Sequence, residues 1–326
     1  MATKPQCSII IVNYHSAELV KRLVQSLAKS TYQDFEVLIV DNSESSQEVA
    51  RLRKLPKVEV IVSPHNVGFG TANNLAAKQA QGRYLIFLNP DTEVYSDTLQ
   101  KWVELAHEHQ HSMVVPQITD LDGESQPSIY RKYPSLWGHT YEYWPLTSDM
   151  ATKLYAGAHP SVYSSHDHKS NQKPLHSVGA AMLIPRKMFE DLGGFDEQFF
   201  LYKEETDLQK RLNDQGFWLL YSPEVQVKHA WGGATGVSSH TQLGQHYIKS
   251  SYQYLSKHKS NMLARLAWCS AVLGLSANYA LMYPYRGAKK LLKKSTTNDK
   301  TYQRQMGSAL RFHLRHPLAA GLTYRK

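Results

Sequence analysis

Three carboxylates, Glu204, Glu205 and Asp207, fall within one predicted helical turn with only Lys203 beside them. Like charges this close raise at least one pKa, which suits a general base. The same spacing also describes a solvated acidic first turn favoured by the helix dipole. Asp91 stands just past the apolar run Tyr84–Leu88, in a turn whose backbone is fixed by Pro90. A carboxylate there suits a hard divalent cation carrying a diphosphate, because Mg²⁺ takes one or two carboxylates together with phosphate oxygens. The plain alternative is a turn-forming Asp. Asp41 ends another apolar run; an ionised carboxylate only accepts hydrogen bonds, so it could recognise a ligand N–H, or simply cap the next helix. In Asn66-Val67-Gly68-Phe69-Gly70 the two glycines would let backbone approach a phosphate or nucleoside closely. They lack the third glycine of a dinucleotide fingerprint and follow the third strand rather than the first, which disfavours a nicotinamide dehydrogenase. His229, one of 16 histidines, is singled out only by its position at a strand end before Ala230-Trp231-Gly232-Gly233.

These residues need elements to hold them, and the N-terminal half supplies an alternation. Ile9–Val12, Phe35–Val40, Val58–Val62, Tyr84–Leu88 and Met113–Val115 read as strands. Between them Ala17–Leu27, Glu44–Leu55, Thr71–Ala80 and Thr98–His109 carry helical spacing. Continuous apolar strands separated by amphipathic helices predict a mostly parallel sheet covered on both faces, whose ligands bind at the strands' carboxyl ends. Asp41, the Asn66–Gly70 loop, Asp91 and His229 all follow predicted strands, and that shared placement outweighs any one of them. Residues 117–175 break the rhythm with eight Tyr and Trp residues among Pro, Ser and His. Regular elements return at Ala180–Ile184, Arg186–Leu192, Glu204–Gln215, Phe217–Tyr221 and Val225–Lys228.

Length and composition, 326 residues with 42% hydrophobic and 20% charged, exclude disorder and collagen-like structure. Two cysteines, Cys7 and Cys269, cannot build a disulfide framework or a cysteine zinc site, which fits a reducing compartment. The start of the chain is too polar for a secretory signal. The net charge of +9 averages two regions: from Lys249 to Lys326 there are 15 Lys and Arg against the single acid Asp299, giving +14, while the first 248 residues hold 22 against 27, giving −5. A basic tail points to an anionic partner, either nucleic acid or an anionic membrane surface. Within it Leu266–Tyr285 is an uncharged stretch of 20 residues bounded by Arg265 and Arg286. Ser270, Ser276, Asn278 and Pro284 weaken a bilayer span and favour an interfacial helix with basic anchors, with a buried helix as the third reading. The long apolar run and the lack of a reading module argue against nucleic acid.

Taken in order, Ile11-Val12-Asn13-Tyr14, Val40-Asp41-Asn42-Ser43, Asn66 through Asn74 and Phe87-Leu88-Asn89-Pro90-Asp91 form a recognisable series. It continues with Gly179-Ala180-Ala181-Met182, Gly193-Gly194-Phe195-Asp196-Glu197, Phe200-Leu201-Tyr202, the acidic trio and His229. From about Cys7 to Gly236 this series resembles the family-2 glycosyltransferases, specifically their rhamnosyltransferase-like branch. The resemblance implies a GT-A fold over residues 1–240, containing the aromatic-rich insertion 117–175 as a possible acceptor region; beyond it, the charge and apolar pattern of 241–326 reads as a basic, mainly helical, membrane-associating extension. The resemblance also implies inverting, metal-dependent sugar transfer from a dTDP- or UDP-sugar, with Mg²⁺ or Mn²⁺, to a glycan or a polyprenyl-diphosphate-linked acceptor. The enzyme would then work in the cytoplasm, peripheral to the inner face of the membrane.

Carried over by position, Val12, Asn13 and Tyr14 sit beside the nucleoside and Asp41 binds the pyrimidine. Asn66, Gly68, Phe69, Gly70, Asn73 and Asn89 line the nucleotide sugar. Asp91 holds the last place of the Asp-x-Asp metal motif, with Asn89 replacing its first acid, and His229 matches a second metal ligand. The family's Glu-Asp pair falls on Glu204-Glu205, with Glu205 at the catalytic base and Glu replacing Asp there. Asn73 stands where many relatives have an Arg beside the diphosphate. Asp207, Gly194, Phe195 and Trp231 fall on the acceptor side or its surroundings. The Asn89 and Glu205 departures keep one alternative open, a catalytically silent sugar-nucleotide-binding or scaffolding protein of the same fold.

Overall fold

The computed structural model describes residues 4–126, 128–130, 132–144, 170–171, 173–230, 240–291 and 307–316. The chain divides into two compact units, Met1–Tyr133 with Ser165–Val237, and Pro134–Ser164 with Ser238–Lys326. The first unit opens with β1 (Cys7–Asn13), α1 (Ala17–Ala28), β2 (Phe35–Asp41), α2 (Ser46–Leu52), β3 (Glu59–Val62), α3 (Phe69–Ala77) and β4 (Tyr84–Leu88). It continues with β5 (Thr92–Val94), α4 (Thr98–Glu108), β6 (Ser112–Thr119) and β7 (Ile129–Tyr130). After α5 (Leu136–Tyr143), which belongs to the second unit, come β8 (His176–Ser177), β9 (Ala181–Pro185), α6 (Arg186–Asp191), α7 (Glu204–Asp214) and β10 (Trp218–His229).

Eight strands form one sheet in the order β3-β2-β1-β4-β9-β6-β10-β5. Strands β3, β2, β1, β4, β6 and β10 run the same way, while β9 and β5 are reversed. All seven residues of β1 are buried, as expected of a strand covered on both faces. Ile9 and Ile11 join one apolar cluster with α1, α2 and α4, and Ile10 and Val12 join another with α3, α6 and α7. That alternation follows from the two-residue period of a strand. The predicted strands Phe217–Tyr221 and Val225–Lys228 are one strand, β10, whose pairing with β6 slips between Ser222 and Gln226. Pro223 lies in that irregularity and hides the continuity, since proline cannot donate to a ladder. The three-residue β5 carries no periodic signal of its own, yet it pairs His229 with Thr92 and so brings the end of β10 beside Asp91.

The second unit contains α5, α8 (His240–His258), α9 (Asn261–Leu291) and helical residues 307–315. Ile248, Tyr252, Leu255, Ala264, Ala267 and Phe312 form one small core, and Tyr143, Ala271 and Leu275 another. The uncharged stretch Leu266–Tyr285 lies within α9. Two of its polar residues, Ser270 and Asn278, are docking partners of α5 and the residue after it: Trp144 Nε1 donates to the Ser270 hydroxyl at 3.1 Å, and Asn278 Nδ2 donates to the Tyr143 carbonyl at 3.0 Å. A Cβ at Gly274 would lie 2.8 Å from Trp144 Cδ1, so only glycine admits that indole. One face of this helix is therefore buried in protein, while Met262, Leu266 and Leu273 on the other are exposed. Among the described residues no helix is long and apolar enough to cross a membrane, which removes the spanning reading of 266–285. Of the aromatic insertion, Tyr155 and Tyr163 lie outside the described residues, as does Trp231.

Candidate functional site

The parallel register of β1 and β2 sets Asn13 directly beside Asp41 at the carboxyl ends of both strands. Both side chains are fully buried. Asn13 Nδ2 donates to Asp41 Oδ1 at 2.7 Å, and the Ser43 hydroxyl lies 2.9 Å from each Asp41 oxygen. Burying a carboxylate is costly unless donors meet it, and here two neutral donors do so. Val12 packs into the core beneath this corner, whereas Tyr14 is exposed beyond it.

The loop after β3 is tied to the loop after β2. Asn42 Nδ2 donates to Asn66 Oδ1 at 3.0 Å and to the Gly68 carbonyl at 3.2 Å, and Asn42 Oδ1 accepts from the Val67 N–H at 3.2 Å. Gly68 has φ of 88°, in the region that glycine alone adopts freely. A Cβ there would also come within 2.5 Å of the Phe200 carbonyl oxygen, to which Phe69 N–H donates at 2.9 Å. A Cβ at Gly70 would meet Phe195 at 3.1 Å and Glu204 Cβ at 3.5 Å. Both glycines therefore permit close approach of the 195–204 segment, a requirement that phosphate-loop reasoning from sequence does not anticipate. Asn73 Nδ2 donates to the Phe69 carbonyl at 2.9 Å and steadies the same turn.

At the ends of β4 and β10, Asp91 Oδ1 and His229 Nε2 lie 3.3 Å apart, both side chains nearly buried. An oxygen and an imidazole nitrogen converging in this way are a fitting donor pair for a divalent cation, which needs further oxygens from phosphate and water. Among the described residues no group of three or more His, Cys, Asp or Glu could hold a metal ion. Asn89 joins this corner to the next strand, its N–H donating to the Ala180 carbonyl at 2.9 Å.

The three crowded carboxylates have three different fates. Glu204 is buried, its Oε2 lacks a hydrogen-bond partner among the described residues, and burial with the neighbouring Glu205 holds its carboxyl well above the usual range. Glu205 is partly exposed and lies against Gly179, where a Cβ would stand 2.9 Å from its Cγ. Asp207 is fully buried and accepts from Arg211 Nε at 2.8 Å, while Arg211 Nη2 also donates to the Gly194 carbonyl at 2.8 Å. Asp207 thus locks the Gly193-Gly194 turn, and Gly194, at φ 72°, makes room for Asn74 Oδ1. Phe195 belongs to the core, in edge contact with Phe87 and Phe189. Ahead of α7, Tyr202 and Lys203 both take left-handed backbone conformations, φ 67° and 70°. Two such non-glycine residues in succession store strain, of order 1–3 kcal/mol each, directly before the acid pair.

Contacts thus run without a break from Asp41 through Asn42, Asn66, Gly68 and Phe200 to the start of α7. From Glu205 they return through Gly179, Ala180 and Asn89 to Asp91 and His229. The sequence reading missed Glu48, Gly179, Phe200 and Arg211 as supports. Only Gly179 and Phe200 carried a signal, as members of motifs in the ordered series.

A family model described as glycosyl transferase family 2 matches residues 8–193. The chain is 27% identical over 280 residues to N-acetylglucosaminyl-diphospho-decaprenol L-rhamnosyltransferase of Mycobacterium tuberculosis, covering 80% of this chain and 87% of that protein. It is 23% identical over 259 residues to the rhamnosyltransferase WbbL of Escherichia coli K12, covering 77% of this chain and 93% of the relative. Mannosyltransferase PcManGT from Pyrobaculum calidifontis, solved with GDP-Man and Mn²⁺, shares the fold with a TM-score of 0.57 at 14% identity, over 96% of this chain and 87% of that one. The fold is GT-A, and the chain belongs to glycosyl transferase family 2 as a rhamnosyltransferase-like enzyme.

Proposed function

We propose that the protein is an inverting, metal-dependent transferase that moves rhamnose or a similar sugar from a dTDP- or UDP-sugar to a glycan or polyprenyl-diphosphate-linked acceptor in cell-surface polysaccharide synthesis. The observation that carries this reading is the unbroken path of contacts joining a buried strand-end carboxylate, Asp41, to Glu205 and to the Asp91–His229 pair. The lipid-linked acceptor in the name of the mycobacterial relative supports the acceptor class.

Asp41 accepts an N–H of the pyrimidine. Asp91 and His229 hold Mg²⁺ or Mn²⁺, which when bound supplies positive charge against the diphosphate. Glu205 takes the proton of the acceptor hydroxyl as that oxygen attacks the anomeric carbon from the face opposite the diphosphate. The bond from anomeric carbon to diphosphate oxygen breaks, the nucleoside diphosphate leaves with the electron pair, and no covalent enzyme intermediate forms. Glu205 rather than Glu204 takes the base role because Glu204 is buried whereas Glu205 is partly exposed. A transfer assay with dTDP-rhamnose and UDP-sugars tests the scheme: Asp91→Ala and Glu205→Gln each abolish transfer with the fold intact. Near-wild-type turnover by Glu205→Gln would overturn the base assignment.

The location at the inner face of the cytoplasmic membrane rests on the second unit. Met262, Leu266 and Leu273 share one exposed face of α9 beside Arg265, in a region of net charge +14. Apolar residues flanked by cations suit an anionic bilayer surface. Flotation with anionic liposomes, set against a DNA gel shift, distinguishes this partner from nucleic acid.

A further inference from the structure

The sequence motifs leave Glu48 unassigned, yet its carboxylate is nearly buried within reach of the Asp41 corner. It sits at the start of α2, where Ser45 caps the helix by accepting the Glu48 N–H at 3.4 Å. Glu48 Oε2 accepts from Asn13 Nδ2 at 3.2 Å and from the Ala17 N–H at 3.0 Å, and Arg51 Nη1 donates to Oε1 at 3.2 Å. Asn13 is thereby used to capacity. Its amide nitrogen faces two carboxylates, Asp41 and Glu48, and its Oδ1 accepts from the Ser16 N–H at 3.1 Å and hydroxyl at 2.9 Å. An amide has two donor hydrogens and one acceptor oxygen, so a flipped Asn13 would turn its oxygen onto both carboxylates and forfeit four contacts.

We propose that Glu48 is a positioning residue of the nucleotide subsite: acting through Asn13, it holds the Asp41 carboxylate in the orientation that selects a pyrimidine presenting a ring N–H, such as uracil or thymine. This rests on the reading of Asp41 as the base-binding residue. Asp41, Ser16 and Glu48 together allow the Asn13 amide only one orientation, so Asp41 Oδ1 is always occupied by a donor, and Glu48 braces that amide from α2. Oδ2, which accepts from Ser43 alone among the described residues, is then the oxygen turned to the ligand. Cytosine offers an acceptor at the same ring position and meets a carboxylate unfavourably. Without Glu48 the Asn13 amide keeps Asp41 and Ser16 but loses its anchor on α2, so the amide and the Asp41 carboxylate are held less firmly in that aim.

The test is calorimetric binding of UDP, dTDP and CDP to the full chain, with donor kinetics alongside, for wild type, Glu48→Ala, Glu48→Asp, Glu48→Gln and Asp41→Asn. Glu48→Ala weakens UDP and dTDP binding roughly tenfold, because the Asp41 carboxylate is held less well for the ring N–H. It narrows the preference for UDP over CDP by a similar factor, while kcat at saturating donor stays within about twofold. Glu48→Gln retains an acceptor oxygen for Asn13 and Ala17 and restores most of the affinity. Glu48→Asp keeps the charge but falls one methylene short, so it shows the same defect more mildly and serves if the alanine variant does not fold. Combining Glu48→Ala with Asp41→Asn adds nothing to Asp41→Asn alone. If Asp41→Asn weakens UDP binding but neither Glu48→Ala nor Glu48→Asp does, the positioning role is overturned while the base-binding reading survives. If Asp41→Asn itself leaves UDP affinity unchanged, both fall.

Discussion

Replacing His176 by Gln should remove a defined part of the protein's acid sensitivity. His176 lies on β8, its ring stacked on Tyr133 with centroids 5.3 Å apart, and its Nε2 lies 3.0 Å from the Lys132 carbonyl, to which it donates. Burial, reinforced by the positive charge of Lys203 and partly offset by that hydrogen bond, lowers its pKa from 6.5 to about 4. A folded-state pKa below the unfolded one means the folded protein resists protonation. The stability is therefore complete above pH 6.5, falls as the pH drops toward 4, and levels off below that. Between pH 7.5 and 4.5 linkage gives a loss of about 2.5 kcal/mol from this one group. Urea unfolding at the two pH values should show wild type losing about that much more than His176→Gln. A histidine side-chain NMR titration reads the same quantity directly, with the signal missing from His176→Gln staying neutral down to pH 5. A midpoint near 6.5 for that signal, or equal pH dependence of the two proteins, would refute the burial argument.

Gly179→Ala forces the Glu205 side chain aside, because the new methyl would lie 2.9 Å from its Cγ. Glu205 Cβ would lie at 3.0 Å as well, so the start of α7 must shift with the side chain. Turnover should fall at least about tenfold, equivalent to 1.4 kcal/mol of barrier, with a smaller loss in thermal unfolding, and unaltered kcat would separate Glu205 from the chemistry. Asp207→Ala leaves the Arg211 guanidinium without its buried carboxylate and should cost about 3 kcal/mol in chemical denaturation. A loss of activity without loss of stability would instead indicate a direct role at the site. The pair Met262→Glu and Leu273→Glu places two acids on the exposed face of α9 and should abolish flotation with anionic liposomes while leaving transfer to a soluble acceptor intact. Undiminished flotation would move the membrane contact elsewhere.

Much of the architecture was legible along the chain, because strands buried on both faces must be continuous apolar runs and covering helices must repeat their apolar residues every three or four positions. Those constraints are local, and they placed β1, β2, β4, α1 and α4 within a residue or two of their ends. They also placed Asp41, Asp91 and His229 at carboxyl ends of strands. Elements held only by their partners escaped: β5 is three residues long and exists through its pairing with β10, and the β7–β8 pair is held between segments far apart in sequence.

What the sequence determined by itself was a set of residue types in a specific order, enough to establish a GT-A glycosyltransferase. It could not say what each side chain does, because Glu204, Glu205 and Asp207 look alike in composition and spacing. Tertiary packing separates them: one buried, one against Gly179, one bound to Arg211. The glycines changed meaning for the same reason. Gly68 and Gly70 are required by the Phe195–Glu204 segment that lies on them, a contact between residues more than a hundred positions apart. Glu48 carries no motif, and only the folding of α2 against β2 and α1 brings it to Asn13, which the parallel register of β1 and β2 sets beside Asp41. Local periodicity is written in neighbouring residues, whereas desolvation and hydrogen bonding depend on atoms that meet only when the chain has folded.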